Sequence, residues 1–297
     1  DMLLVGPRGV GKTAAVSAFA GLAREQGFEV INLQAVTGQA GLVPSLLRQA
    51  SSRIADGAGP WQRAKTLFER IGGFDLSVAG FGAGLSMRDR DPVAQISDAE
   101  TLAAALSALA TETRKEHATG GVMLTVDELQ VASAPDLALI AAMLHRLNVD
   151  HPSSVVAFAG TGLPHTPHAL RRAGVTHPDR LFVVEPIPLT LTPEDARYAI
   201  VEPARRAGVM WEPPAADRIV DVSGGYPAHL QLFADATWRL SQGPQRITIA
   251  DVERAIPDAA SQIERRSLGP RWDRISDRQM EFMAALALLG GQASTAQ

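Results

Sequence analysis

At 297 residues the chain exceeds one ordinary domain, and with 46% apolar residues it can bury a large core, so two domains are expected. It contains no cysteine, which excludes a disulfide framework and a thiolate zinc site, and its 7 histidines show no metal-ligand spacing. A net charge of −4, from 28 basic against 32 acidic residues, supplies no general basic footprint for nucleic acid.

The chain opens at Asp1 inside a short apolar strand, Met2-Leu3-Leu4-Val5, and so reads as an excerpt of a longer sequence. Directly behind it stands Gly6-Pro7-Arg8-Gly9-Val10-Gly11-Lys12-Thr13, the G-x-x-x-x-G-K-T pattern of a phosphate-binding loop. Glycines there let consecutive backbone N–H groups converge on phosphate oxygens, an approach that side chains at Gly6 or Gly11 would obstruct. A helix from Lys12 to about Gln26, with Thr13 and Ala14 in its first turn, turns its positive end toward the same anion. Lysine is scarce, at Lys12, Lys65 and Lys115 only. Lys12 is placed to reach the outer phosphates of a nucleotide, and the Thr13 hydroxyl to serve as a ligand for Mg²⁺.

Gly27 ends that helix, and Phe28 to Leu33 reads as a second strand. Pro44 opens a helix to about Arg53. Between Gly57 and Pro92 small and apolar residues alternate around glycines, which suggests a hairpin-like insertion. Ser97-Asp98-Ala99-Glu100 has the form of a capping box ahead of Leu102, Leu106 and Leu109 on one helical face. Then Val122-Met123-Leu124-Thr125-Val126 runs into Asp127-Glu128, a buried strand ending in adjacent carboxylates. In open α/β sheets ligands bind at the carboxyl ends of the strands. Asp127 is therefore expected to hold Mg²⁺, and Glu128 to polarise the water that attacks a γ-phosphate.

A helix over about 135–148, a strand Ser154 to Gly160 and a fifth strand Leu181 to Val184 continue the alternation. Strands alternating with helices predict an α/β fold, a parallel sheet covered by helices on both faces. From Thr192 the character changes to helices alone. Thr192-Pro193-Glu194-Asp195 opens the first, Pro203 should bend it, and others follow near 214–222, 227–241 and 249–265. Arg265, Arg266, Arg271, Arg274 and Arg278 alternate with acids, as on a salt-bridged solvated face. Last, Ser276-Asp277-Arg278-Gln279 caps an apolar helix to Leu289. The apolar runs stop short of a membrane span and no charged-then-apolar leader is visible, so a cytoplasmic protein with no membrane partner is expected.

Taken together, the phosphate loop, the Asp-Glu strand, a further strand ending in a small polar residue, an arginine before a fifth strand and a helical tail resemble the AAA+ ATPases over nearly the whole chain. Ser223-Gly224-Gly225-Tyr226-Pro227 resembles the lid turn of the initiator-like and STAND branches of these P-loop NTPases. The resemblance implies a P-loop core over 1–189, a helical lid over 190–266 and, over 267–297, the start of a winged-helix domain. It implies ATP and Mg²⁺ as cofactors and ATP hydrolysis as the activity. Thr161 would sense the γ-phosphate. Arg180, with Arg171 and Arg172 as competitors, would reach a neighbouring subunit's nucleotide, which makes self-association part of the expectation. Tyr226 and Pro227 would contact the base or sugar. Pro227 stands where many relatives carry a lid arginine, so that sensor is absent or replaced by His229.

The leading function implied is an ATP-hydrolysing molecular switch that couples nucleotide state to the position of the lid and of a C-terminal domain. A DNA-binding initiator or transposition helper, using a C-terminal winged helix, is one alternative. A STAND signalling protein with slow hydrolysis is another. A small-molecule kinase fits worst, because nothing resembles an acceptor-binding lid and Asp127-Glu128 suits water activation.

Overall fold

A computed structural model of the chain describes residues 1–38, 41–57, 59–70, 92–241, 245–265, 269–272 and 275–290. It divides into two compact units, Asp1–Leu189 and Thr190–Gln297.

The first unit is built on β1 (Met2–Val5), β2 (Glu29–Gln34), β3 (Val122–Asp127), β4 (Val156–Gly162) and β5 (Val183–Pro186). They form a 5-stranded sheet in the order β2-β3-β4-β1-β5, parallel at every pairing. Helices connect them: α1 (Lys12–Glu25), α2 (Leu42–Ala55), α3 (Gly59–Arg70), α4 (Pro92–Glu116), α5 (Ala134–Asp150), α6 (Thr166–Arg172) and α7 (Pro178–Leu181). Alternation of side chains across the pleat supplies both layers. Val30, Met123 and Ala159 point to one face, where Val16 and Ala20 of α1 cover them. Ile31, Leu33, Leu124 and Val126 point to the other, under Leu46 of α2, Leu106 and Leu109 of α4 and Leu144 of α5. The interior strand β3 is buried at every position, as a strand with helices on both sides must be.

Three sequence expectations change here. Residues 59–70, inside the segment read as hairpin-like, form α3, because Trp61, Ala64 and Phe68 recur at helical spacing and are all buried. The remainder of that reading, 71–91, lies outside the described residues. The Ser97 capping box does not begin a helix, since α4 already runs from Pro92. β2, β4 and β5 begin one or two residues later than the apolar runs suggest, so Arg180 falls within the short α7 rather than in a turn before β5.

The second unit comprises α8 (Pro193–Arg206), β6 (Met210–Trp211), α9 (Pro213–Ser223), α10 (Pro227–Leu240), β7 (Arg246–Ile247), α11 (Ile249–Ile263), α12 (Gly269–Trp272) and α13 (Asp277–Leu288). Its own core gathers Ile200, Trp211, Ile219, Leu230, Phe233, Ile247 and Val252. Thr192 caps α8 by accepting from the Asp195 amide, Thr248 and Asp251 form a capping box on α11, and Ser276 and Gln279 do the same on α13. The parallel pair β6–β7, with 2 residues in each strand, is too short for a strand pattern to show in sequence.

Candidate functional site

The site lies at the carboxyl ends of β1, β3 and β4. β1 delivers the chain to the loop Gly6–Gly11, whose start is fastened to the neighbouring strand by the Gly6 amide donating to Gly162 O at 3.1 Å. A Cβ at Gly6 would sit 3.0 Å from Val10 Cγ2, and Gly11 enters α1 at φ 94°, a left-handed angle that a side chain would strain. Among the described residues no backbone carbonyl accepts from the amides of Gly9, Val10 or Gly11. Three successive donors at a helix N-terminus are thus left for an anion, and the cradle fits a phosphate.

Lys12 is 5% exposed, and its ammonium donates to the loop carbonyls of Gly6 at 2.9 Å and Pro7 at 2.7 Å. Burial pushes it below its ordinary value; the carboxylates of Glu128 and Asp127 pull it back up, and Arg8 opposes them. A cation confined in this way has a strong electrostatic reason to meet additional negative charge. Arg8, Thr13 and Ala14 are exposed around it.

Asp127 is the hub of the remaining contacts. Thr13 Oγ1 donates to its Oδ2 at 2.7 Å, so the phosphate loop and the carboxylate strand meet although 114 residues separate them in sequence. Thr161 Oγ1 donates to Oδ1, and the Glu128 amide donates to Oδ1 at 2.9 Å. Strand register brings these groups together. Val126 on β3 lies opposite Gly160 on β4, which puts Thr161 beside Asp127. A hydroxyl and a carboxylate within hydrogen-bonding reach are the hard oxygen donors that Mg²⁺ prefers, held by one or two protein ligands. The donor set therefore fits that ion.

Glu128 has φ 58° and ψ 40°, the left-handed region, and among the described residues it is the one non-glycine with positive φ. Such a conformation costs of order 1–3 kcal/mol and persists where the surroundings impose it. Here the Glu128 amide is held by Asp127 Oδ1 and lies 3.3 Å from Thr161 Oγ1. The half-buried carboxylate accepts from Gln130 Nε2, and Gln130 Oε1 accepts from the Leu163 amide at 3.0 Å. Nothing in the sequence announces Gln130, whose partners lie at i−2 and 33 residues downstream.

Of the residues singled out from sequence, Gly6 to Thr13, Asp127, Glu128 and Thr161 come together in this one place. Thr161 is fully buried, and its hydroxyl is directed at Asp127. Arg180 is exposed on α7, as are Arg171 and Arg172 on α6. Tyr226 and Pro227 belong to the second unit, where Tyr226 precedes α10 and its ring stands edge-on to His229 at 4.7 Å. No group of acidic or histidine side chains able to hold a further metal occurs among the described residues, and no described helix is long and apolar enough to cross a membrane.

Comparison with known proteins gives a family and a fold. The sequence model of the AAA ATPase domain matches residues 1–156. Among solved structures, the Walker-type ATPase PABY2304 of Pyrococcus abyssi is similar at 16% identity and a TM-score of 0.58, over 97% of this chain and 74% of that one. The Aeropyrum pernix ORC2 protein in its ADP form is similar at 16% identity and a TM-score of 0.51, over 98% and 69%. The Thermotoga maritima RuvB Holliday junction branch migration motor aligns at 14% identity and a TM-score of 0.46, with the chain spanning 61% of its length. At these identities the likeness is one of fold. Among curated proteins no match is found.

Proposed function

This chain belongs to the AAA ATPase domain family, and from that premise we propose that it is an ATP-hydrolysing switch whose first unit carries out the chemistry. The observation that carries the reading is the 2.7 Å contact of Thr13 with Asp127, beside which stands Glu128. It gathers the parts that phosphoryl transfer to water requires: backbone donors and Lys12 for the phosphates, oxygen ligands for Mg²⁺, and a carboxylate for the nucleophile.

When bound, Mg²⁺ would neutralise charge on the phosphate oxygens. Thr13 and Asp127 are the residues that would hold it, the hydroxyl then giving up its hydrogen bond for coordination. Lys12 would exchange two loop carbonyls for phosphate oxygens. Glu128 would take the proton from the attacking water, and Thr161 would keep Asp127 turned toward the ion while sensing the γ-phosphate through it. We assign Tyr226 and Pro227 to the base or sugar, and Arg180 to the nucleotide of a second copy, where a guanidinium stabilises charge that develops in the transition state.

The test is phosphate release from ATP by the purified chain with and without Mg²⁺. Turnover that requires the ion and disappears in Lys12→Ala supports the reading. Turnover that survives Lys12→Ala, or absence of turnover in the wild type across protein concentrations, overturns it.

A second reading makes the chain part of a DNA-binding initiator, with α13 as the opening helix of a winged-helix domain. In its favour, α13 is fully capped at its start yet buries none of its residues, with Phe282 68% and Leu288 89% exposed. Its test is retention of duplex DNA by a chain extended through the complete domain. The STAND signalling reading expects slow turnover, which the same phosphate-release assay reads, and repeats or an effector domain in place of a winged helix.

A further inference from the structure

We infer that Gln130 is the residue that positions the Glu128 carboxylate and ties it to the backbone of the loop after β4. The inference rests on the hydrolytic reading of Glu128 and concerns how that side chain is aimed.

Three features lead to it. The left-handed backbone at Glu128 fixes where its side chain departs but leaves its own torsions free. A glutamate has several of these, and ordering such a side chain costs rotamer entropy, so one held in a single geometry needs a partner. That partner is the Gln130 carboxamide, two residues on, within the 3₁₀ turn Leu129–Val131. The turn is itself anchored, because Leu129 is 1% exposed and packs into the core of the first unit.

The chemistry of the bridge selects glutamine. An ionised carboxylate only accepts hydrogen bonds and a backbone amide only donates them. Gln130 Nε2 faces Glu128 and its Oε1 faces the Leu163 amide, the one orientation that satisfies both ends. Glutamate at this position would keep the acceptor for Leu163 but set two carboxylates against each other. Leucine would keep the bulk and lose both bonds.

The far end of the bridge also matters. Leu163 follows Thr161 and Gly162, the first holding Asp127 and the second holding Gly6. The end of β4 therefore touches the magnesium ligand, the phosphate loop and, through Gln130, the proposed base. A shift in that loop moves all of them as a set, whereas without Gln130 the carboxylate is released from the set. Gln130 has no place among the phosphate or metal contacts, so its loss should fall on the chemical step and spare nucleotide binding.

The experiment measures kcat and KM for ATP, and thermal unfolding, for wild type, Glu128→Gln, Gln130→Leu, Gln130→Glu and the double variant Glu128→Gln with Gln130→Leu. Gln130→Leu and Gln130→Glu should each lower kcat by about tenfold or more, in line with what small misplacements of a reacting group cost. KM should stay within about twofold, because binding contacts are untouched. In the Glu128→Gln background, single-turnover hydrolysis should not change further on adding Gln130→Leu, since residues acting through one another are non-additive. Unchanged kcat in both Gln130 variants, or an undiminished loss in the Glu128→Gln background, overturns the inference. So does a fall in kcat matched by unfolding at the assay temperature in Gln130→Leu while the folded Gln130→Glu turns over normally. If Glu128→Gln itself matches wild type, the hydrolytic reading fails first and the inference with it; if Glu128→Gln is slow and the Gln130 variants are not, only the inference fails.

Discussion

Thr13 Oγ1 donates a 2.7 Å hydrogen bond to Asp127 Oδ2, joining the first turn of α1 to the end of β3. Because Mg²⁺ wants oxygen ligands in near-octahedral geometry, losing the negative charge of one ligand should weaken the ion's hold more than the nucleotide's. Asp127→Asn is expected to raise the Mg²⁺ concentration for half-maximal turnover by about tenfold or more, the scale on which changes around a metal site act. A magnesium titration at saturating ATP checks it, and an unaltered midpoint would remove Asp127 from the metal site.

Lys12→Ala should abolish measurable nucleotide binding, because the loop keeps its backbone donors but loses the buried cation that we assign to the outer phosphates. Calorimetric titration with ATP and Mg²⁺ reads this directly. Thermal unfolding gives an independent measure: saturating nucleotide stabilises the wild type by about 2.7 kcal/mol at a hundred times its dissociation constant, and the variant should show no such rise.

Glu128→Gln should retain ATP yet slow hydrolysis by at least about a hundredfold, the lower end of what general-base assistance contributes. The backbone at this position offers a second, separate test. At φ 58° a glycine is unstrained and an alanine is not. Glu128→Gly should therefore be more stable than Glu128→Ala by about 1 kcal/mol, or melt roughly 2–4 °C higher in a unit of this size. Equal melting temperatures would mean that the left-handed turn relaxes when the glutamate is removed.

Arg180 is exposed on α7. If it serves a second copy, Arg180→Ala should leave ATP affinity of the isolated chain nearly intact and remove hydrolysis, since a donated guanidinium acts on charge present only in the transition state. Mixing Arg180→Ala with Lys12→Ala protein should restore part of the activity, each chain supplying what the other lacks. Absence of rescue where the wild type self-associates would assign Arg180 to its own chain or to structure alone. Wild-type turnover per chain that is independent of protein concentration would speak against any shared site.

Much of the candidate site was legible from residue order because its motifs are local. Gly6 to Thr13 need only a strand before them and a helix after them, and both are written in neighbouring residues, as an apolar run and as a stretch that Gly27 ends. The same holds for Val122 to Glu128, whose continuous apolar stretch already implies a strand covered on both faces. Periodicity failed where spacing and capping gave conflicting signals. Trp61, Ala64 and Phe68 carry a helical face inside a segment whose glycines suggested a hairpin, and tertiary burial decided in favour of the helix. Ser97 looks like a helix start, but α4 passes through it because the helix begins at Pro92.

What no local pattern contains is which strand lies beside which, and in what register. The order β2-β3-β4-β1-β5 follows from burying two sheet faces at once, and it alone puts Thr161 and Gly162 of β4 between the phosphate loop and the carboxylates. A shift of β4 by one residue would turn Thr161 to the opposite face and leave Asp127 without it. The same placement brings the Leu163 amide to Gln130 and so supplies a partner for the far end of its amide. The residues able to bind a phosphate and a metal ion were therefore present in the primary structure. Their convergence was decided by strand pairing, which brings Thr13 to Asp127 across 114 residues and Thr161 to Asp127 across 34.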